Sequence, residues 1–201
     1  MLMRERRHHQ LPALLEHMTT LVQSGEIRSG LSGLPRNEPL QAELFALMLC
    51  ASPQWANQGH LAHVFDRVKA GLGADAQGQA QLDTLIDAYR AGRALLERTE
   101  HYDAILTRFL LNETIRETFP WGAGTPLEQH RRWVAVFGIV RGMLAAYASA
   151  MNRPLREDEI VDCVWAYCRA FQHHREFAQR VEQTLQRCHW DSLPRLLAML
   201  K

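Results

Sequence analysis

Along nearly the whole chain, apolar residues recur at intervals of three and four, and no run alternates β-branched with polar residues. That period stacks side chains on one face of an α-helix, so the sequence predicts an all-α fold, a multi-helix bundle of about eight to nine helices with no sheet. A chain of 201 residues buries roughly 70% of its accessible surface in a single core and requires no covalent staple. The cysteines, Cys50, Cys163, Cys168 and Cys188, form no CxxC pair, and the first three sit in apolar runs. This usage fits a reduced, cytoplasmic interior.

Turn and capping residues divide the periodic pattern. A first helix is expected from Leu11 to Gln23, with Pro12 in its first turn and Ser24-Gly25 as its stop, followed by a Gly/Pro-rich loop from Gly30 to Pro39. Asn37 is placed to cap a second helix whose stripe is Leu40, Leu44, Leu47 and Met48, ending at Ser52-Pro53. A third runs from Asn57 to Ala70, and two further patterns cover 79–99 and 102–119. Thr125, Pro126 and Glu128 form a capping box that opens a long helix to Met151. Helices over 156–173, 175–188 and 191–200 complete the chain. Residues 1–10 read as a basic arm or linker remnant and 11–201 as one domain, with a point of subdivision near 73–78.

Charge excludes several functions. The formal net charge is +1, and no helix concentrates Arg and Lys beside the turn a DNA reader needs, so nucleic acid is not an expected partner. The basic N-terminus lacks the following apolar run of a signal peptide. Trp133 to Ala150 is the one candidate membrane span, but Arg141 near its middle would cost about 2.5–3.5 kcal/mol on insertion. Gly138, Gly142, Ala145 and Ala146 permit close helix contact there. The expectation is therefore no membrane, and a buried helix whose Arg141 pairs with a carboxylate. His60, His63 and Asp66 share a helical face without a fourth ligand, which reads as a solvated face rather than a metal site. Gly122-Ala123-Gly124 follows a helix, not a strand, which excludes a dinucleotide-binding turn.

Between Arg108 and Leu185, Asn112, Arg116, Arg141, Arg169 and His173 recur among apolar residues in helical phase, interrupted by the aromatic turn Phe119-Pro120-Trp121-Gly122. A buried polar group costs a few kcal/mol unless it is paired, so these side chains are expected to form a network. Asn112 and Arg116 share a face aimed at the Arg141 helix, with Arg169 and His173 on a neighbouring wall. The polar side Asp162, Arg169, His173 and Glu176 reads either as an ion-pair ladder or as a docking face for another domain or an acidic group.

Taken in order, Arg108-Phe-Leu-Leu-Asn112, Arg116, Phe119-Pro120-Trp121-Gly122, the Arg141 helix, and Arg169-Ala-Phe-Gln-His173 with Phe177 beyond it resemble the C-terminal half of the flagellin lysine-N-methylase family. The last block is similar to that family's Arg-Ala-aromatic-Glu-His-Asn, with His174 in place of the asparagine. The resemblance implies methyl transfer from S-adenosylmethionine to lysine side chains of flagellin, with Asn112, Arg116, Arg141, Arg169 and His173 in substrate or cofactor binding. It also implies an upstream cysteine-rich segment that binds an iron-sulfur cluster or other metal. No clustered cysteines occur here, so the chain is expected to be the helical C-terminal portion of a longer protein.

Lysine must lose a proton before it attacks a methyl donor, and its pKa of about 10.4 keeps it charged near neutrality. Glu113, Glu117 and Tyr147 are the candidate catalytic groups for that step. The alternative is a noncatalytic helical interaction or ligand-sensing module, such as a homodimer, with an apolar pocket that lacks convergent charges.

Overall fold

Gly25, in the left-handed conformation at φ +78°, lets the chain turn sharply after α1 (Leu11–Gln23) and restart at once as α2 (Glu26–Ser32). The first helix has the bounds its sequence predicts. The expected loop from Gly30 is a correction: residues 30–32 close α2, because the turn at Gly25 allows helix to resume and α1 packs on the short second helix. The computed structural model describes residues 11–50, 59–73, 80–122, 124–172, 175–190 and 192–201. Among these it contains ten α-helices and no strand, as the helical periodicity requires. Of the described residues, 11–36 with Lys201 cluster as one unit and those within Asn37–Leu200 as a second.

The second unit is built around α7 (Pro126–Met151). Its start is fixed by the capping box: Thr125 Oγ1 accepts from the Glu128 amide at 3.2 Å and Glu128 accepts from the Thr125 amide at 2.7 Å. Around it pack α3 (Glu38–Cys50), α4 (Ala62–Gly71), α5 (Leu82–Leu96), α6 (Tyr102–Arg116), α8 (Glu157–Tyr167), α9 (Arg175–Arg187) and α10 (Leu193–Leu200), each touching α7. The helix is long and apolar enough to cross a membrane, yet 72% of its most apolar window is buried by these neighbours. Cβ atoms at Gly71 or Gly92 would collide with the main-chain carbonyls of Ala146 and Ala145, so α4 and α5 lie backbone to backbone on α7.

Arg141, 2% exposed, corrects a second expectation. Among the described residues no carboxylate pairs with it. Its guanidinium donates to the carbonyls of Met199 and Leu200 at the end of α10, and lies 4.6 Å from the Phe137 ring. The last carbonyls of a helix lack intrahelical partners and carry about half a negative charge between them, so a helix end takes the place of the acid. Gln41 assists by donating to Ala198 O at 2.6 Å while accepting from Tyr89 at 3.0 Å. Burial pushes the Arg141 pKa down from its ordinary value.

Two further departures matter. In α3 the buried apolar positions among the described side chains are Ala42, Leu44 and Phe45, and Leu47, expected in the apolar stripe, is 41% exposed. Beyond α8 the helix widens into a π-turn at Cys168–Gln172, which breaks the α-phase expected to continue to 173. The expected stop at Ser52-Pro53, the start at Asn57, most of the 73–78 subdivision, His173 and the side chain of His60 lie outside the described residues.

Candidate functional site

On α6 the inward face is Leu106, Phe109 and Glu113, which places a carboxylate where an apolar residue would ordinarily stand. Glu113 is 4% exposed. A carboxylate so far from water needs donors, and it has them. Arg116 donates through Nε to Oε1 at 3.2 Å and through Nη2 to Oε2 at 2.8 Å, and Gln172 donates to Oε1. The other Arg116 nitrogen pairs with Glu117 at 2.8 Å. The Glu113 hydrogen bond is the main reason that the Arg116 pKa lies above its ordinary value. Two carboxylates thus face one guanidinium, leaving one net negative charge.

Gln172 reaches Glu113 because of the π-turn. With α-helical geometry it would point well away from Tyr167; the wider i to i+5 turn carries both toward the same side. Tyr167 and Phe171 then form an aromatic wall with Phe177 from α9, at ring separations of 5.8 and 4.6 Å. Trp133 of α7 stands across from them, its indole donating to Thr114 Oγ1 at 2.9 Å. Phe119 enters from the aromatic turn, whereas Trp121 is 84% exposed. These groups line a pocket of about 110 Å³ together with the Glu113–Arg116–Glu117 cluster and a second guanidinium, Arg132. The Tyr167 phenol is pushed up by burial, with the Glu113 charge adding to it.

Glu113, Glu117 and Arg116, three of the sequence candidates, therefore converge. Among the described residues the other expected members, Asn112, Arg141 and Arg169, do not join them, and His173 lies outside the described residues. Asn112 and Arg169 are exposed and their side chains make no hydrogen bond among the described residues, so Asn112 does not face the Arg141 helix. Arg141 is committed to the end of α10. Tyr147 lies farther along α7 beside Glu159 and Cys163, its phenol pushed up by burial, and does not line the pocket. Phe171, Gln172 and Phe177 stand in the block that carries the family resemblance, but their convergence with Glu113, Tyr167 and Trp133 depends on the π-turn and on tertiary packing.

No group of three His, Cys, Asp or Glu among the described residues is arranged to hold a metal. Cys163 is buried with its thiol pushed up, and burial lifts Cys168 to about 11, so neither has thiolate character near neutrality.

Residues 1–199 match the family of the FliB lysine N-methylase C-terminal domain. The chain belongs to this family. The match extends over almost the full sequence, well beyond the Arg108–Leu185 stretch that carries the resemblance. No curated protein and no solved structure matches the chain.

Proposed function

We propose that this chain is the helical C-terminal portion of a cytoplasmic protein-lysine N-methyltransferase that acts on flagellin with S-adenosylmethionine as methyl donor, and that the pocket at Glu113 receives a lysine side chain of flagellin. The observation that carries this reading is Glu113, a buried acid at an aromatic-lined pocket. Its methylene-binding walls contribute about 0.8 kcal/mol per buried CH₂ of the lysine stem, and the ring faces attract its ammonium. The convergence of Glu113, Arg116 and Glu117 favours this over a ligand-sensing module with an uncharged pocket.

The donor does not share this pocket. At about 110 Å³ it is well below the roughly 300–1,000 Å³ of sites for drug-sized ligands, so it has no room for a nucleoside-bearing sulfonium beside a lysine chain. The described residues likewise offer no ligand set for an iron-sulfur cluster. The role assigned to this pocket is to bind and orient the acceptor lysine.

Ala178 lines the pocket and is exposed, so Ala178→Trp narrows the entrance without entering the core. The test is mass spectrometry of flagellin incubated with S-adenosylmethionine and this chain, alone and joined to an upstream cysteine-bearing segment. Lysine methylation is expected with the native sequence and is expected to fall at least tenfold with Ala178→Trp, at unchanged melting temperature. Equal methylation by both proteins would refute the assignment of the pocket.

A further inference from the structure

We infer that the pocket binds methylated lysine in preference to unmethylated lysine, so that it retains the product of methyl transfer as well as accepting the substrate. This rests on the reading of the pocket as a lysine site, and it follows from counting hydrogen-bond partners. An ionised carboxylate has about four lone-pair directions. On Glu113 three are occupied, by Arg116 Nε, Arg116 Nη2 and Gln172 Nε2. One remains.

A lysine ammonium brings three N–H groups. Beyond Glu113 the lining offers Glu117, half-exposed and already paired with Arg116, together with the Gln129 and Gln172 amide oxygens and the Tyr167 hydroxyl, which are few against the rings. The greater part of the wall is aromatic or aliphatic, and a donor facing it loses its water without gaining an acceptor. Each methyl group replaces one such N–H with a surface that rings accommodate well. Dimethyl-lysine keeps the positive charge and a single N–H, matching the single open position on Glu113.

The ring arrangement supports the same preference. Tyr167, Phe171 and Phe177 form a continuous set, and Trp133 is locked by its hydrogen bond to Thr114. Rigid aromatic surfaces around a cation are the general means of recognising methylated ammonium groups. Charge is balanced in the lining: Arg116 faces Glu113 and Glu117, and Arg132, which also lines the pocket, stands beside Glu128 and Glu182 of the adjoining groove. A polypeptide already methylated at one lysine would consequently remain anchored while another lysine is modified.

Calorimetric titration of the chain with acetyl-Gly-Lys-Gly-amide peptides, unmethylated and Nζ-dimethylated, tests this. The dimethylated peptide is expected to bind about tenfold more tightly, the effect of relieving unpaired N–H groups in an apolar site. Phe177→Leu, which keeps the volume apolar but removes one ring, is expected to reduce that ratio at least threefold. Equal or weaker binding of the dimethylated peptide, or an unchanged ratio in Phe177→Leu, overturns the inference and leaves the lysine pocket standing. Failure of both peptides to bind overturns the inference and the lysine pocket together.

Discussion

Arg141→Met and Arg141→Ala separate the charge of this side chain from its volume. The guanidinium is 2% exposed, donates to the carbonyls of Met199 and Leu200, and has its Nε without a hydrogen-bond partner among the described residues. Removing such a cation from water costs several kcal/mol. Against this stand two charge-assisted hydrogen bonds of about 1.5–3 kcal/mol each, and about 1 kcal/mol each from the helix end and the Phe137 ring. The terms nearly balance. Methionine preserves most of the volume and removes the desolvation penalty along with the bonds, so it is expected to change stability by no more than about 2 kcal/mol. Alanine also opens a cavity, bringing its loss to about 4 kcal/mol or more. Urea denaturation at neutral pH measures both. Were Arg141 paired with a buried acid, either substitution would strand that acid at a cost of about 3–5 kcal/mol. Equal and severe destabilisation by both would therefore refute the helix-end account.

Other perturbations probe the packing and the caps. Gly92→Ala places a Cβ against the Ala145 carbonyl, a backbone atom that cannot move aside, and is expected to lose about 1–3 kcal/mol in a thermal melt despite alanine's better helix propensity; an unchanged or raised melting temperature contradicts the close approach. Thr125→Ala removes half the capping box and is expected to lower stability by about 1 kcal/mol in urea, with no change arguing against the cap. The Glu159 carboxyl lies below its ordinary value of 4.5, chiefly through its hydrogen bond to Arg153. Its contribution is therefore complete above the ordinary carboxylate range and disappears as pH falls through the folded value. The stability gap between the native protein and Glu159→Gln is expected to close from about pH 5 downward, and a gap independent of pH would remove the ion pair from the account.

What the sequence made legible was local. Pro12 and Ser24-Gly25 bracket α1, and Thr125-Pro126 with Glu128 announces α7, since caps and breakers act within a single turn. Glu113, Glu117 and Arg116 were visible as charged residues among apolar ones, and their local spacing brings them together. Asn112 and Arg169 carried the same signal but face outward, because helical phase alone does not say which face is covered. The partner of Arg141 was hidden for another reason: main-chain carbonyls exist at every position, and only tertiary structure presents the end of α10 to it. Gln172 depended on a π-turn, which shifts the phase that sequence periodicity assumes.

The central claim is that a lysine side chain of flagellin enters the pocket at Glu113. Flagellin bearing a photoreactive diazirine analogue of lysine, irradiated with this chain and mapped by mass spectrometry, tests it directly. Cross-links are expected at Phe119, Trp133 and Phe177 and are expected to disappear with Ala178→Trp. Cross-links confined to other surfaces, unaffected by that substitution, would contradict the account.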